Sequence, residues 1–174
     1  MIKTAYLAGG CFWCITPIFK EIDGVLSVTS GYCGGDEEAP TYEQVKSQQT
    51  HHRETIRIEY DPEKVTFEQL LNIFLECVDP FDADGQYIDR GESYTLAVYC
   101  TDESDRMTAE ERLQDLAEEE GEWPAVSIEP YKTFWPAEEY HQDYYLKNPE
   151  AFEKELEESG RTAACPLRFR RKKN

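Results

Sequence analysis

The string Gly9-Gly10-Cys11-Phe12-Trp13-Cys14 joins a nucleophile to a distinctive local setting. Two glycines end an apolar run, and helical spacing begins directly after them. A side chain at that junction sits at the carboxyl end of a strand and at the positive end of a helix. A thiolate there is favoured by the helix dipole and by free backbone N–H groups, so the expected pKa of Cys11 is below that of an ordinary thiol. Two aromatic residues beside it favour a reactive thiol over an inert buried one. The second chemical signal is Glu54. The alternation of Ile56, Ile58 and Tyr60, extended backward, puts Glu54 on the apolar face of a strand. Desolvation there raises a carboxyl pKa, which suits a proton donor to a leaving or developing oxygen.

The other cysteines divide by position. Cys77 and Cys100 share apolar faces with Phe74 and with Leu96 and Val98, as core residues do. Cys33, among glycines, is expected to be exposed with nothing to activate it. Cys14 lies within one turn of Cys11, although Cβ atoms about 5–6 Å apart exceed disulfide reach without local adjustment. Cys165 lies near the end of the chain. No second Cys-x-x-Cys accompanies the first, and the pair His51-His52 reads as polar loop, so no metal site is expected. Tyr42, Tyr94, Asp79 and Asp89 are polar groups beside apolar segments, each by itself consistent with a surface or turn position.

These groups need elements to hold them. Lys3 to Ala8 reads as a strand. Cys11 to Ile22 has helical spacing, with Pro17 implying either a place in the first turn or a regular start near Thr16-Pro17. A strand over Val25–Ser30 and a tight loop over Gly31–Gly35 follow, then a strand over Glu54–Tyr60. Thr66-Phe67-Glu68-Gln69 forms a capping box that opens a helix to Val78, with Phe67, Leu70, Leu71, Phe74 and Leu75 inward. A strand is expected over Tyr94–Cys100, an acidic helix over Glu103–Glu120 and a strand over Val126–Ile128. Helices are expected over Ala137–Lys147 and Ala151–Glu158. Strands and helices interleave at lengths that suit a compact two-layer α+β sandwich.

At 174 residues the chain fits one domain, residues 1–160, followed by a basic tail, residues 161–174. The tail holds six of the 18 Lys and Arg residues and no acid. That leaves 12 bases against 36 acids, or −24, in residues 1–160, and −18 for the whole chain. Such a field repels phosphate backbones and anionic membranes, and no stretch has the apolar length of a membrane span. At 40% hydrophobic and 13% aromatic the composition is that of a folded chain. Met1-Ile2-Lys3-Thr4-Ala5-Tyr6 lacks a signal-peptide core, so a reducing cytoplasm is expected, where cysteines serve chemistry rather than cross-linking.

From Gly10-Cys11-Phe12-Trp13 onward the sequence resembles peptide methionine sulfoxide reductase A. The matching strings, in order, are Gly31-Tyr32 with Gly34-Gly35, Pro40-Thr41-Tyr42, His52-Arg53-Glu54, Tyr60-Asp61-Pro62, Asp79-Pro80, Asp89-Arg90-Gly91 with Tyr94, and Tyr140-His141-Gln142. They span about residues 4 to 149. The resemblance implies a ferredoxin-like α+β core and thiol-dependent reduction of the S epimer of methionine sulfoxide, free or in proteins. It implies that Cys11 is the nucleophile and Glu54 the acid. Tyr42 and Tyr94 bind the sulfoxide oxygen, Phe12 and Trp13 the methyl group, and Asp89 the substrate. A Cys11 sulfenic acid would be resolved by Cys14 or Cys165 and reset by thioredoxin or a similar dithiol, with no cofactor and no metal. A monomer that repairs oxidised proteins under oxidative stress is the expected whole. Many relatives carry glycine at the position of Cys14 and resolving cysteines in a glycine-rich tail, which leaves the resolving thiol open here.

Two other readings remain at this point. Cys11 and Cys14 could be the dithiol of a general thiol–disulfide oxidoreductase, which needs no acid on oxygen and so leaves Glu54 unused. An acidic interaction domain with a basic docking tail leaves the setting of Cys11 unexplained.

Overall fold

In a computed structural model that describes residues 1–159, a six-stranded sheet carries helices on one face. The strands are β1 (Lys3–Gly9), β2 (Val25–Cys33), β3 (Arg53–Tyr60), β6 (Leu96–Cys100), β7 (Val126–Pro130) and β8 (Trp135–Pro136), in the order β7-β6-β1-β3-β2-β8. All neighbours are antiparallel except β6 and β7. Two further short strands, β4 (Gly85–Gln86) and β5 (Asp89–Arg90), form a separate hairpin. The helices are α1 (Phe12–Lys20), α2 (Tyr42–Lys46), α3 (Phe67–Cys77), α4 (Glu103–Glu120), α5 (Tyr144–Lys147) and α6 (Pro149–Ser159). Among the described residues no helix is long and apolar enough to cross a membrane. The basic tail and Cys165 lie outside the described residues.

Strand alternation separates two apolar layers. Leu7, Ile56, Ile58, Leu96 and Val98 face α1, α3 and α4 in the main core. Ala8, Cys33, Ala97 and Tyr99 face the other way, beneath Phe134. The capping box at Thr66 is present, with Thr66 Oγ1 accepting from the Gln69 amide and Gln69 Oε1 from the Thr66 amide. All five residues expected to point inward from α3 are buried, and α4 has the expected limits.

Four expectations need correction. The helix after Cys11 starts at Phe12 and runs through Pro17, which lies neither in its first turn nor at its start. The missing i→i−4 bond is outweighed by burial, since Cys14, Ile15, Thr16, Pro17, Ile18 and Phe19 are all packed away from water. Gly31-Tyr32-Cys33 is strand rather than loop, because it pairs with β3 on one side and, through Gly31 and Tyr32, with β8 on the other. Glycine is required where β8 approaches: a Cβ on Gly31 would lie 2.3 Å from the Phe134 ring and 2.5 Å from the Trp135 carbonyl oxygen. Tyr94 belongs to a short 3-10 turn, Glu92–Tyr94, and β6 begins two residues later. Ala137–Lys147 is not one helix. A 3-10 turn over Glu139–His141 ends at Gln142, Asp143 adopts a left-handed φ of 54°, and only then does α5 begin. Gln142 is drawn out of helical geometry by the edge of β2. Its side chain accepts from the Ser30 amide at 3.0 Å and donates to the carbonyls of Ser30 and Ala137.

Candidate active site

The antiparallel pairing of β1 with β3 brings the two chemical signals together. Leu7 stands opposite Ile56, so two residues further along each strand Gly9 comes level with Glu54. Gly10 then turns the chain with a φ of 84°, a conformation glycine adopts without steric cost, and Cys11 becomes the N-cap of α1. Glu54 points to the helix-bearing face and is 1% exposed. Its Oε1 accepts the backbone N–H of Phe12 at 3.1 Å, which ties the carboxyl group to the first turn of α1, beside Cys11.

Desolvation dominates the Glu54 carboxyl and pushes its pKa up to about 8, with Asp89 and Cys14 adding repulsion. The Phe12 amide and the Tyr94 hydroxyl pull the other way. Glu54 is therefore mostly protonated at neutral pH. The Cys11 thiol also moves up, well above the usual thiol value, and this corrects the expectation of a lowered pKa. A hydrogen bond with Cys14 is the largest cause, followed by burial and by repulsion from Cys14, Glu54 and Asp89. The helix N-terminus cannot offset these, since the Phe12 N–H that would have favoured a thiolate is engaged by Glu54. Both groups thus hold their protons at rest.

The remaining sequence-derived candidates fall around this pair. Tyr42 opens α2 and Tyr94 ends the 3-10 turn. Burial raises both phenols, with the Glu54 and Cys11 charges adding to it, so both remain protonated hydrogen-bond donors. Asp89, on the β4–β5 hairpin, is close enough to raise Cys11, Glu54 and Tyr94 electrostatically. Phe12 is wholly buried and Trp13 partly so. The Trp13 ring lies 6.3 Å from that of Tyr42. Cys14 is buried against Cys11. Asp79 is not part of this group: its Oδ1 accepts from the Phe81 amide in a turn. Cys33 is fully buried, donating to the Lys132 carbonyl, and is not exposed as expected. Its pKa, raised to about 11 chiefly by burial, marks an inert thiol. All five described cysteines are thiols. His52 is engaged locally, with Nδ1 accepting from the Gly35 amide and Nε2 donating to the Glu37 carbonyl, while His51 pairs with Glu92.

Residues 138–144 complete the site in a way no periodic pattern foreshadowed. Glu138 accepts the Tyr32 hydroxyl at 2.9 Å and the Tyr42 amide at 3.0 Å, joining β2 to the start of α2. His141 Nδ1 accepts the indole N–H of Trp13 at 3.0 Å, which assigns the imidazole proton to Nε2. Burial lowers the His141 pKa to about 4, so the ring stays neutral and able to accept. Tyr144 stacks on Trp13 with centroids 4.1 Å apart. The only sequence signal for this group was the string Tyr140-His141-Gln142. A groove of about 760 Å³ opens elsewhere, between Arg53, Arg90 and Trp123, and none of Cys11, Glu54, Tyr42 and Trp13 lines it.

Chemically, the arrangement pairs a buried nucleophile with a neutral carboxylic acid, phenol donors and an aromatic wall. That combination suits attack on an electrophilic centre that carries apolar substituents, with protonation of an attached oxygen.

Comparison with known proteins gives a consistent result. The profile of the family described as Peptide methionine sulfoxide reductase matches residues 3–172. Peptide methionine sulfoxide reductase MsrA 2 of Staphylococcus aureus (strain MW2) is 48% identical over 162 residues, covering 91% of each chain. Peptide methionine sulfoxide reductase MsrA of Ligilactobacillus salivarius (strain UCC118) is 50% identical over 159 residues, covering 90% of this chain and 91% of its own. Among solved structures, Mxr1 from Saccharomyces cerevisiae in reduced form superposes with a TM-score of 0.82 at 28% identity. It covers 95% of this chain and 90% of its own. Mxr1 in complex with Trx2 shares the fold, with a TM-score of 0.57 at 21% identity, over 82% of this chain and 84% of its own.

Proposed function

Because the chain belongs to the peptide methionine sulfoxide reductase family, we propose that its reduction of methionine sulfoxide, a repair reaction, is carried by Cys11 and Glu54. The single observation that carries this reading is the buried Glu54 carboxyl bonded to the Phe12 amide beside Cys11, with a pKa of about 8.

A sulfoxide oxygen leaves sulfur only when protonated. Glu54 supplies that proton, and Tyr42 and Tyr94 donate hydrogen bonds to the same oxygen. Cys11 Sγ attacks the substrate sulfur as its own proton passes to the Glu54 carboxylate. The S–O bond breaks and the oxygen leaves as water on a second proton from Glu54, with Sγ now bonded to the substrate sulfur as a sulfonium. Water then attacks Sγ and gives its proton to the Glu54 carboxylate, the Sγ–S bond breaks, methionine departs, and Cys11 is left as a sulfenic acid. The reaction neither consumes nor releases a net proton, which suits a site where both groups are neutral at rest. Phe12 and Trp13 take the methyl group and Asp89 orients the substrate, and together they select the S epimer.

Cys14 is the resolving thiol in this reading. Its hydrogen bond with Cys11 supports that choice, since condensation to a disulfide and water then needs only a local shift. The alternative, Cys165, lies outside the described residues. A thioredoxin-type dithiol reduces the disulfide, becoming oxidised itself. The complex of the yeast relative with Trx2 supports that class of partner. The chemistry stays on sulfur and needs no metal or cofactor, and it fits a monomer in a reducing cytoplasm. The β1-α1-β2-β3-α3-β6 connectivity, with strand order β6-β1-β3-β2, supports describing the core as ferredoxin-like.

The test is one equivalent of an S-sulfoxide peptide added to the Cys14→Ser variant. One methionine per enzyme and a sulfenic acid trapped at Cys11 are expected, with thioredoxin-coupled cycling slowed. Unchanged cycling would remove Cys14 from the scheme, and no methionine would remove the scheme.

A further inference from the structure

The reacting thiol lies under a helix. Cys11 is 6% exposed and Cys14 is 4% exposed, and both pack in a small apolar cluster with Phe152 and Leu156 of α6, which are themselves buried. Phe152 and Leu156 are four residues apart, so they form one face of α6. Glu150, Glu153, Glu155, Glu157 and Glu158 carry the acidic charge of the same helix, and Glu155 is close enough to Tyr42 and Tyr144 to raise both phenols. Trp13, Tyr144 and Tyr145 complete the cluster, with Tyr145 and Phe152 6.0 Å apart between ring centroids. Tyr144 meanwhile lies face to face with Trp13, on the ring assigned to the substrate methyl. The turn that enters this segment is fixed by the left-handed Asp143, which pairs with Lys20 at the end of α1.

This cluster is distinct from the main core, which runs from β1 through α3 and α4, and Trp13 packs against both. Elements held by small satellite clusters open locally at lower cost than global unfolding. A free methionine sulfoxide needs room at Cys11 for one residue only. A methionine sulfoxide within a polypeptide brings backbone on both sides, and α6 occupies that ground.

We infer that α6, through Phe152 and Leu156, is the specificity-determining cover of the site: closed, it admits the free sulfoxide, and only its displacement admits a polypeptide. The inference rests on Cys11 being the reacting thiol. In the closed state polypeptide substrate is disfavoured by the cost of lifting α6, so the preference between substrates is set by the apolar contacts of two side chains outside the catalytic machinery.

The experiment compares wild type with Phe152→Ala/Leu156→Ala, using dithiothreitol as reductant. The substrates are free methionine S-sulfoxide and an oxidised, unfolded casein. The variant is expected to raise kcat/KM for the casein at least fivefold and to leave that for the free sulfoxide within twofold. Carbamidomethylation of Cys11 by iodoacetamide, a probe smaller than the free sulfoxide, should likewise stay within twofold. Equal changes for both substrates, or none, would overturn the inference. Native-state hydrogen exchange on wild type keeps the test open if the variant does not fold. Amides of α6 should exchange well before those of α3, and exchange of both only with global unfolding would overturn it. A Cys11→Ser control separates the two levels: retained sulfoxide reduction there would dismiss Cys11 as nucleophile, whatever the exchange data say of α6.

Discussion

In the proposed mechanism function depends on where two protons sit, at Glu54 and at Cys11. A carboxyl group with a pKa of about 8 serves as acid only below that pH. The kcat of sulfoxide reduction should therefore fall as pH rises through about 8. Replacing Glu54 by Gln should lower it roughly 10²- to 10⁴-fold, the usual worth of a positioned proton donor. Turnover of a model disulfide by the same variant should not collapse, because a thiolate leaving group needs no acid. The same raised pKa has a stability consequence. Folding holds the proton that the unfolded carboxyl loses above its ordinary value of 4.5. The stability Glu54 contributes is complete below that pH and is lost as pH rises toward about 8. In denaturant titrations Glu54→Gln should flatten the stability–pH curve over that window by a few kcal/mol, since each tenfold change in proton affinity is worth roughly 1.4 kcal/mol. A curve parallel to wild type would mean that Glu54 ionises normally.

The elements that hold these residues differ in how visible they were. Cys11 and Glu54 could be found because each lies on a periodic element: one follows a strand that ends in two glycines, the other continues the apolar face of β3. Their adjacency follows from the β1–β3 register. What escaped was the work of Glu138, His141 and Gln142, which is done by side-chain hydrogen bonds to β2, α2 and Trp13 across long stretches of sequence. Such bonds impose no repeat, and a left-handed Asp143 in place of a continuous helix leaves no compositional trace. The pKa of Cys11 went the other way for a similar reason, since a neighbouring thiol and a carboxyl that engages the helix amide outweigh the dipole. Gln142→Ala tests the element directly. It leaves the Ser30 amide and the Ala137 carbonyl short of a partner, while the Ser30 carbonyl keeps the Ala137 amide. The cost should be about 1–3 kcal/mol, with activity reduced as the segment bearing His141 loosens. Chemical denaturation beside steady-state assays would check both, and a variant as stable and active as wild type would show that β8 holds the segment without it.

At the scale of the whole molecule the dominant feature is a net charge of −18. A field of that sign draws cationic substrates and repels anionic ones over about a Debye length, roughly 10 Å at 0.1 M salt. Sulfoxide peptides flanked by lysine should therefore show higher kcat/KM than the same peptides flanked by glutamate. The ratio should collapse toward one as salt rises to about 0.5 M. A ratio insensitive to salt would assign the discrimination to local contacts instead.

Cys11 as the nucleophile is put to proof by incubating the protein and dithiothreitol with separated S and R epimers of a methionine sulfoxide peptide, beside a Cys11→Ser control. Consumption of the S epimer alone, abolished in the control, is the expected result. Consumption of the R epimer, or activity that survives the loss of Cys11, would contradict it.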